Sequence, residues 1–413
     1  MRAKLNGPIA ERGFVQQCTD TDAVRKLLAQ PPVVFYCGFD PTADSLHCGS
    51  LMPIMARAHL QRAGHTPIAI IGGGTALVGD PSGKTELRKL LSPEDIAKNG
   101  QGILAQLQRY LTLDGTKGLF INNADWLSKL RYIEFLRDIG RHFRVNEMMR
   151  TEAYKQRMDR EEGLSFIEFN YQLLQAYDFL KLFQMHKCVL QIGGDDQWSN
   201  ILAGTDLIRK LEGKTAWGLT FPLLTTARGD KMGKTAQGAV WLGPERTSPY
   251  EFYQYWINTD DRDIERFLAY FTLLPMDDVR RLGRVEGATL QESKAVLAFE
   301  ATKLCHGETE AEKARQTARA AFAKGGDDLS AMPTTTLSRA ALSAGIPILE
   351  LLLLAGLVAS KKEARRLIEQ GGAYLNGRPI THVDLVVRED ALENDAILLR
   401  HGKKKFHRIV VQG

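Results

Sequence analysis

Several patterns are missing from this 413-residue chain, and each absence removes a class of function. No long apolar run is free of charged residues, so no membrane span is expected. No Cys-x-x-Cys pair occurs. The five cysteines, Cys18, Cys37, Cys48, Cys188 and Cys305, are odd in number and scattered. That argues against a structural zinc site or a disulfide framework, and points to a reducing, cytoplasmic setting. Residues 1–12 lack an apolar core, so they are not expected to act as a secretory signal.

Two nucleotide signatures are missing as well. Ile68-Ala69-Ile70-Ile71 reads as a parallel strand and runs into Gly72-Gly73-Gly74, with Gly83-Lys84-Thr85 further on. A Walker loop ending there would need glycine at 78, where the chain has Val78. The dinucleotide fingerprint starting at Gly72 would need its third glycine at Leu77. Neither a P-loop NTPase nor an NAD enzyme is supported. What remains is a glycine-rich turn that carries Asp80 to the mouth of a sheet.

What is present begins with length and charge. A chain this long implies two or three domains. The net charge of +5 permits a polyanionic partner without demanding one. The organising stretch is Tyr36 to Ser50. Val33, Val34 and Phe35 before it read as a buried strand, and Leu51, Ile54, Met55, Ala58 and His59 after it recur at helical spacing. A polar segment between strand and helix in an open α/β sheet is where ligands bind. His47, Gly49 and Ser50 suit an anion or a ribose there, although a tight turn with a solvent-facing histidine has the same pattern.

Residues 94–112 and 125–160 read as helical. In the helix from Phe166 to Phe183, Phe166, Phe169, Leu173, Tyr177 and Leu180 form one stripe, expected to face the core. Tyr171, Gln175 and Asp178 fall on the other side within a narrow arc. That arc is either a solvated face or the wall of a pocket for a small zwitterion or hydroxyl-bearing ligand. Cys188 to Ile192 is another strand, running into Gly193-Gly194-Asp195-Asp196-Gln197. Lys231 and Lys234, three apart in a glycine-containing loop, can clamp the oxygens of a polyphosphate, although spacing alone is met more often by a solvated charged hairpin. The aromatics in Tyr250 to Trp256 are expected to be core. Gly325-Gly326-Asp327-Asp328, Pro333 and Thr334-Thr335-Thr336 mark a linker.

The last segment stands apart. Ser360-Lys361-Lys362-Glu363 reads as a capping box opening a helix. That helix carries two like-charge pairs, Lys361 with Arg365 and Lys362 with Arg366. Tyr374-Leu375-Asn376-Gly377 reads as strand and turn. Residues 351–413 hold 11 Lys and Arg against 7 Asp and Glu, so most of the chain's excess positive charge lies there. A small basic module after a linker is an electrostatic footprint for nucleic acid.

Taken in order, these stretches resemble class I aminoacyl-tRNA synthetases, and in detail the bacterial tyrosyl-tRNA synthetases. The matching stretches are Tyr36-Cys37-Gly38-Phe39-Asp40-Pro41-Thr42, Gly79-Asp80-Pro81-Ser82-Gly83, Tyr171 through Asp178, Gln191-Ile192-Gly193-Gly194, the 231–235 loop and Ser248 through Tyr253. The resemblance implies a Rossmann-like parallel-sheet catalytic domain over 1–240, with a dimer-interface insertion near 125–160. An α-helical anticodon-region domain is implied over 241–325, then a linker, 326–343. A small α+β RNA-binding domain of the ribosomal small-subunit protein type is implied over 344–413.

The implied activity is tyrosine–tRNA ligation with ATP and Mg²⁺, acting on L-tyrosine and tRNA(Tyr) as a homodimer in the cytoplasm, with no membrane partner and no metal held by the protein itself. By resemblance, Tyr36 and Asp178 bind the phenolic hydroxyl of the substrate. Asp80, Tyr171 and Gln175 bind its ammonium, and Gln197 lies near its carboxylate. Cys37, Gly194 and Asp196 meet the ATP ribose, Asp40 the α-phosphate, and Thr42 and His47 the γ-phosphate. Gly49 and Ser50 belong to the nucleotide site. Lys84, Arg88, Lys231, Lys234 and Thr235 close on the pyrophosphate. Two departures stand out: Ser50 replaces the family's second histidine, and Lys231-Met232-Gly233-Lys234-Thr235 replaces Lys-Met-Ser-Lys-Ser.

Overall fold

The computed structural model describes residues 7–81, 91–159, 163–227, 229, 232–235, 238–287, 289–322, 332–393, 395–402 and 405–412. By contacts, the chain divides into two compact units. One comprises 1–246 with 260–290, the other 247–259 with 291–413.

The first unit is built on a six-stranded sheet. Its strands are β1 (Gln17–Cys18), β2 (Val34–Phe39), β3 (Thr66–Ile71), β4 (Leu119–Asn122), β5 (Leu190–Gly194) and β6 (Trp217–Phe221), in the order β1-β6-β5-β2-β3-β4. All neighbours are parallel except β1, which runs antiparallel to β6. Strands buried on both faces need continuous apolar runs, and Phe35, Ile68, Ile70, Leu190 and Leu219 supply them. From β2 the chain winds outward through β3 to β4. It then returns to the other side of β2 with β5. The strand order therefore reverses between β2 and β5, where the carboxyl ends open a crevice. Register places Phe35 opposite Leu190 and Tyr36 opposite Gln191, so the two ends finish level.

The helix Leu51–Arg62 follows β2 and is buried over most of its circumference, from Leu51 to Leu60. The helix expected over 166–183 is divided. Ser165 opens a single turn, Phe166–Phe169, with a reciprocal capping box to Glu168. A longer helix, Tyr171–His186, then ends on Lys187 in the left-handed region. The expected core stripe is corrected at its start, because Phe166 is 69% exposed. The arc opposite is not solvated, since Tyr171 and Asp178 are both buried.

A short hairpin, β7 (Lys234–Thr235) with β8 (Gly238–Ala239), follows the sheet. The helical stretch expected as one block over 241–325 is shared between units. Ile264–Phe271 and Met276–Gly283 belong with the sheet, whereas Pro249–Ile257 and most of Thr289–His306 belong to the second unit. Tyr250, Phe252, Tyr253 and Trp256 are buried, as expected of core aromatics.

The second unit ends in a five-stranded sheet of β9 (Thr334–Ser338), β11 (Ala373–Leu375), β12 (Arg378–Pro379), β14 (Ala396–His401) and β15 (Lys405–Gln412), ordered β12-β11-β14-β15-β9. A two-residue pair, β10 (Ile346–Pro347) with β13 (Val386–Val387), lies apart from it. The expected linker is corrected: residues 334–338 pair in parallel with β15, and Arg339–Ala344 is a helix. The Asn376-Gly377 turn joins β11 to β12 with positive φ at both residues, the requirement of a type I′ hairpin. Ser360 caps Lys361–Glu369 by accepting from the Glu363 amide. Glu363 reaches back to the Ala359 amide rather than to Ser360, so the box is closed one residue early. A compact apolar core that includes Leu342, Leu351, Leu352, Ile368, Ile397 and Ile409 holds this part together.

Candidate active site

A cavity of about 640 Å³ opens at the β2–β5 reversal. Its lining brings together Tyr36, Cys37, Asp40, Thr42, His47, Gly49, Ser50, Asp80, Tyr171, Gln175, Asp178, Gly194, Asp196 and Gln197. Every sequence-expected site residue whose side chain is described therefore faces one space. Lys84, Arg88 and Lys231 lie outside the described residues, and of Lys234 and Thr235 only the backbone strand is described. A second cavity of about 760 Å³, lined by Phe143, Met148 and Trp198 among others, adjoins the first at Asp196 and Leu223 but includes neither Tyr36 nor Asp178.

At the deep end, the Asp178 carboxylate takes one donor on each oxygen. Trp126 Nε1–H donates to Oδ1 at 2.7 Å, and Asn123 Nδ2–H donates to Oδ2 at 2.8 Å. Burial drives its pKa up to about 7, and those two hydrogen bonds hold it from going higher. The Tyr36 hydroxyl is buried and has no hydrogen-bond partner. Its own pKa is raised, first by burial and then by the neighbouring Asp178 charge. A buried orphan hydroxyl is costly unless something completes it. A hydroxyl-bearing ligand does so, accepting from Tyr36 while donating to Asp178.

Asn123 and Trp126, which hold the Asp178 carboxylate, were not singled out in the sequence reading. They follow β4, whose apolar Leu119-Phe120-Ile121 gives way to Asn122-Asn123. A pair of amides at a parallel strand's carboxyl end was the available signal. Asn123 also accepts from the Gly74 amide at 2.8 Å and donates to Thr75 Oγ1 at 3.1 Å. Thr75 donates on to Asp40 Oδ1 at 2.8 Å, and Tyr171 OH donates to Asp40 Oδ2 at 3.1 Å. Tyr171 was expected beside Asp80 and Gln175. Its hydroxyl proton goes to Asp40 instead.

Asp80 accepts from Gln197 Nε2 at 2.8 Å. Asn200 Nδ2 bridges Gln197 Oε1 at 3.1 Å and Gln175 Oε1 at 3.3 Å. The two adjacent carboxylates after β5 separate cleanly. Asp195 turns away to accept from Gln17 and Thr220, while Asp196 faces the cavity.

At the outer end, His47 Nδ1 accepts from the Gly49 amide at 3.0 Å, which leaves Nε2 as the N–H donor of the neutral ring. A Cβ on Gly49 would stand 2.7 Å from His47 Cε1, so any side chain there would displace the ring. The strand leaving β8 clamps the segment: Cys48 N donates to Val240 O and Leu242 N to Leu46 O, both at 2.8 Å. Trp241 meets the His47 ring edge-to-face at 6.1 Å, and the Arg246 guanidinium sits 4.5 Å above the Trp241 ring. Val240 N donates to Gly233 O at 2.9 Å, so the backbone of the 232–235 loop is tied to the His47 turn.

Comparison with known proteins agrees with this geometry. The family model described as tRNA synthetases class I (W and Y) matches residues 28–323, and that of the tyrosine–tRNA ligase SYY-like C-terminal domain matches 326–409. The chain is 53% identical to the tyrosine–tRNA ligase of Desulfosudis oleivorans and 53% to that of Caldanaerobacter subterraneus, with 98% of each chain covered in both pairs. Among solved structures, a C-terminally truncated mitochondrial tyrosyl-tRNA synthetase of Aspergillus nidulans superposes with a TM-score of 0.68 at 30% identity, covering 76% of this chain and 93% of that one. With a sheet that reverses at a polar crevice, and with matches across both of its parts, the chain belongs to the class I tRNA synthetase family of the W and Y type.

Proposed function

We infer that the chain is a tyrosine–tRNA ligase. It activates L-tyrosine with ATP to tyrosyl-adenylate and pyrophosphate, then transfers tyrosine to the 3′-terminal adenosine of tRNA(Tyr). The observation that carries this reading is the unpartnered Tyr36 hydroxyl beside Asp178, in the same cavity as His47. A phenol answers both groups at once. An indole N–H only donates, so it leaves the Tyr36 proton without an acceptor, and a phenyl ring answers neither.

The substrate carboxylate is ionised at neutral pH and attacks the α-phosphorus in line, so no general base is required. Catalysis then rests on positioning and on charge directed at the transferring phosphate. In this proposal Asp80, Gln175 and Tyr171 fix the ammonium, and Gln197 lies by the carboxylate. Cys37, Gly194 and Asp196 hold the ribose. Asp40, already gripped by Thr75 and Tyr171, borders the α-phosphate, and Gly49 and Ser50 complete the nucleotide site. His47 Nε2–H and Thr42 donate to the γ-phosphate, and the lysines and arginine of the two loops neutralise pyrophosphate. Mg²⁺ is proposed to travel on the phosphates, ligated mainly by phosphate and water.

The protein works as a homodimer in this reading. Tyr132, Ile133, Val145, Met158, Phe166 and Ile167 are exposed apolar residues on or beside the 125–160 segment, and a second copy would cover them. The C-terminal module, with its basic helix Lys361–Glu369, binds tRNA as a ribosomal small-subunit type of RNA-binding domain. No helix among the described residues is long and apolar enough to cross a membrane, and the cytoplasm is the proposed location. ATP–pyrophosphate exchange with each amino acid in turn tests the reading. Tyrosine alone should support exchange, and tryptophan-dependent exchange would replace the assignment.

A further inference from the structure

The cavity poses an electrostatic problem. Four carboxylates line it, those of Asp40, Asp80, Asp178 and Asp196, and its described lining includes no lysine or arginine. ATP must nevertheless enter as a polyanion. One cation lies immediately behind that lining. Arg57, on the second turn of Leu51–Arg62, is completely buried. Its Nη1 donates to the Cys37 carbonyl at 3.3 Å and its Nε to the Pro53 carbonyl at 3.2 Å. Its guanidinium carbon stands 4.7 Å from the centre of the Phe39 ring. Nη2 is buried with no acceptor, and among the described residues no carboxylate pairs with the group.

A buried arginine without a counter-ion is unfavourable for folding, and an apolar side chain of similar volume would pack there at lower cost. Cys37, Phe39 and Pro53 each touch Arg57 on one side and line the cavity on the other. The charge is thus one layer of backbone away from the nucleotide.

We propose that Arg57 is a positioning residue for ATP: from behind the end of β2 it orients the Cys37–Phe39 backbone and supplies a fixed positive charge that bound polyphosphate completes. The inference rests on the function proposed above for its ligand, but not on the choice of amino acid. Burial lowers the guanidinium pKa without bringing arginine near neutrality, so the charge persists at physiological pH.

The test uses the full-length protein and MgATP titrated by calorimetry without tyrosine, alongside tyrosine binding and thermal melting. Arg57→Met should weaken ATP binding by roughly tenfold, the effect of one charge a backbone layer away at an effective dielectric of about 20. It should leave tyrosine binding within about twofold and raise Tm, because an unpaired buried charge is removed. Unchanged ATP binding in Arg57→Met would overturn the proposal. So would equal losses of ATP and tyrosine. If Arg57→Met fails to fold, Arg57→Gln is held to the same outcomes. Direct ATP binding separates this inference from the functional one: a protein that binds ATP through Arg57 but exchanges with another amino acid would refute only the latter.

Discussion

Replacing Trp126 by phenylalanine removes one hydrogen-bond donor from the proposed phenol site. The aromatic bulk stays largely in place, and Asp178 Oδ1 loses its 2.7 Å donor. A hydrogen bond to a buried charged group is worth about 1.5–3 kcal/mol. Because that bond favours the ionised form, its loss raises the Asp178 pKa by roughly one to two units, each being about 1.4 kcal/mol. The starting value is about 7. At pH 7.5 the ionised fraction therefore falls from about three-quarters to between about one-quarter and roughly one-thirtieth. The sign follows from which form the substrate needs. The phenol donates to the carboxylate, so tyrosine recognition is strong above the Asp178 pKa and lost as pH falls through it. The Trp126→Phe protein should show kcat/KM for tyrosine reduced by roughly three- to twenty-five-fold at pH 7.5, with the acid limb of its pH profile shifted upward by one to two units. KM for ATP should not move. Tyrosine-dependent pyrophosphate exchange between pH 6 and 9 measures all three. An acid limb that stays put, or equal losses for both substrates, would refute the assignment of Asp178 as the ionised phenol acceptor.

Other outcomes follow from the same geometry. Gly49→Ala forces a Cβ against the His47 ring, and exchange should fall by about tenfold or more with tyrosine affinity retained, since orientation of a phosphate donor is lost. Neutralising Lys361, Lys362, Arg365 and Arg366 together should weaken tRNA binding and flatten its salt dependence by up to about four units of slope, with exchange unaffected; filter binding across salt concentrations reads this. Ile133, which is 73% exposed, should become a point of separation, so Ile133→Lys should shift the protein toward monomer in sedimentation.

The framework of the site was legible in the sequence because parallel-sheet enzymes keep their chemistry at strand ends. Tyr36 to Asp40 and Gly194 to Gln197 follow apolar runs that no soluble protein leaves exposed. The helix carrying Asp178 was harder. Periodicity distinguishes an apolar from a polar arc, but it has no means of telling a solvated arc from one pressed against a pocket. Phe166 was drawn inward on that logic, yet it is exposed. What buries Asp178 is a pair of donors more than fifty residues earlier in the chain, and such long-range pairing leaves no local trace. The threonines at 334–336 were read as linker for a related reason. Their β-branched character suits a strand, but the partner that makes them one, β15, begins seventy residues later. Arg57 lay inside a well-read helix and drew no notice, since a lone arginine among apolar neighbours normally extends its head to water.

The trio of Asp178, Asn123 and Trp126 has a practical corollary for anyone hoping to rewrite this catalyst's vocabulary. Exchanging the carboxylate by itself strands two N–H groups in a dry interior, so a single-site library would mostly return broken proteins instead of altered ones. New monomers would be admitted by varying the three positions as one word, with Tyr36 as its punctuation.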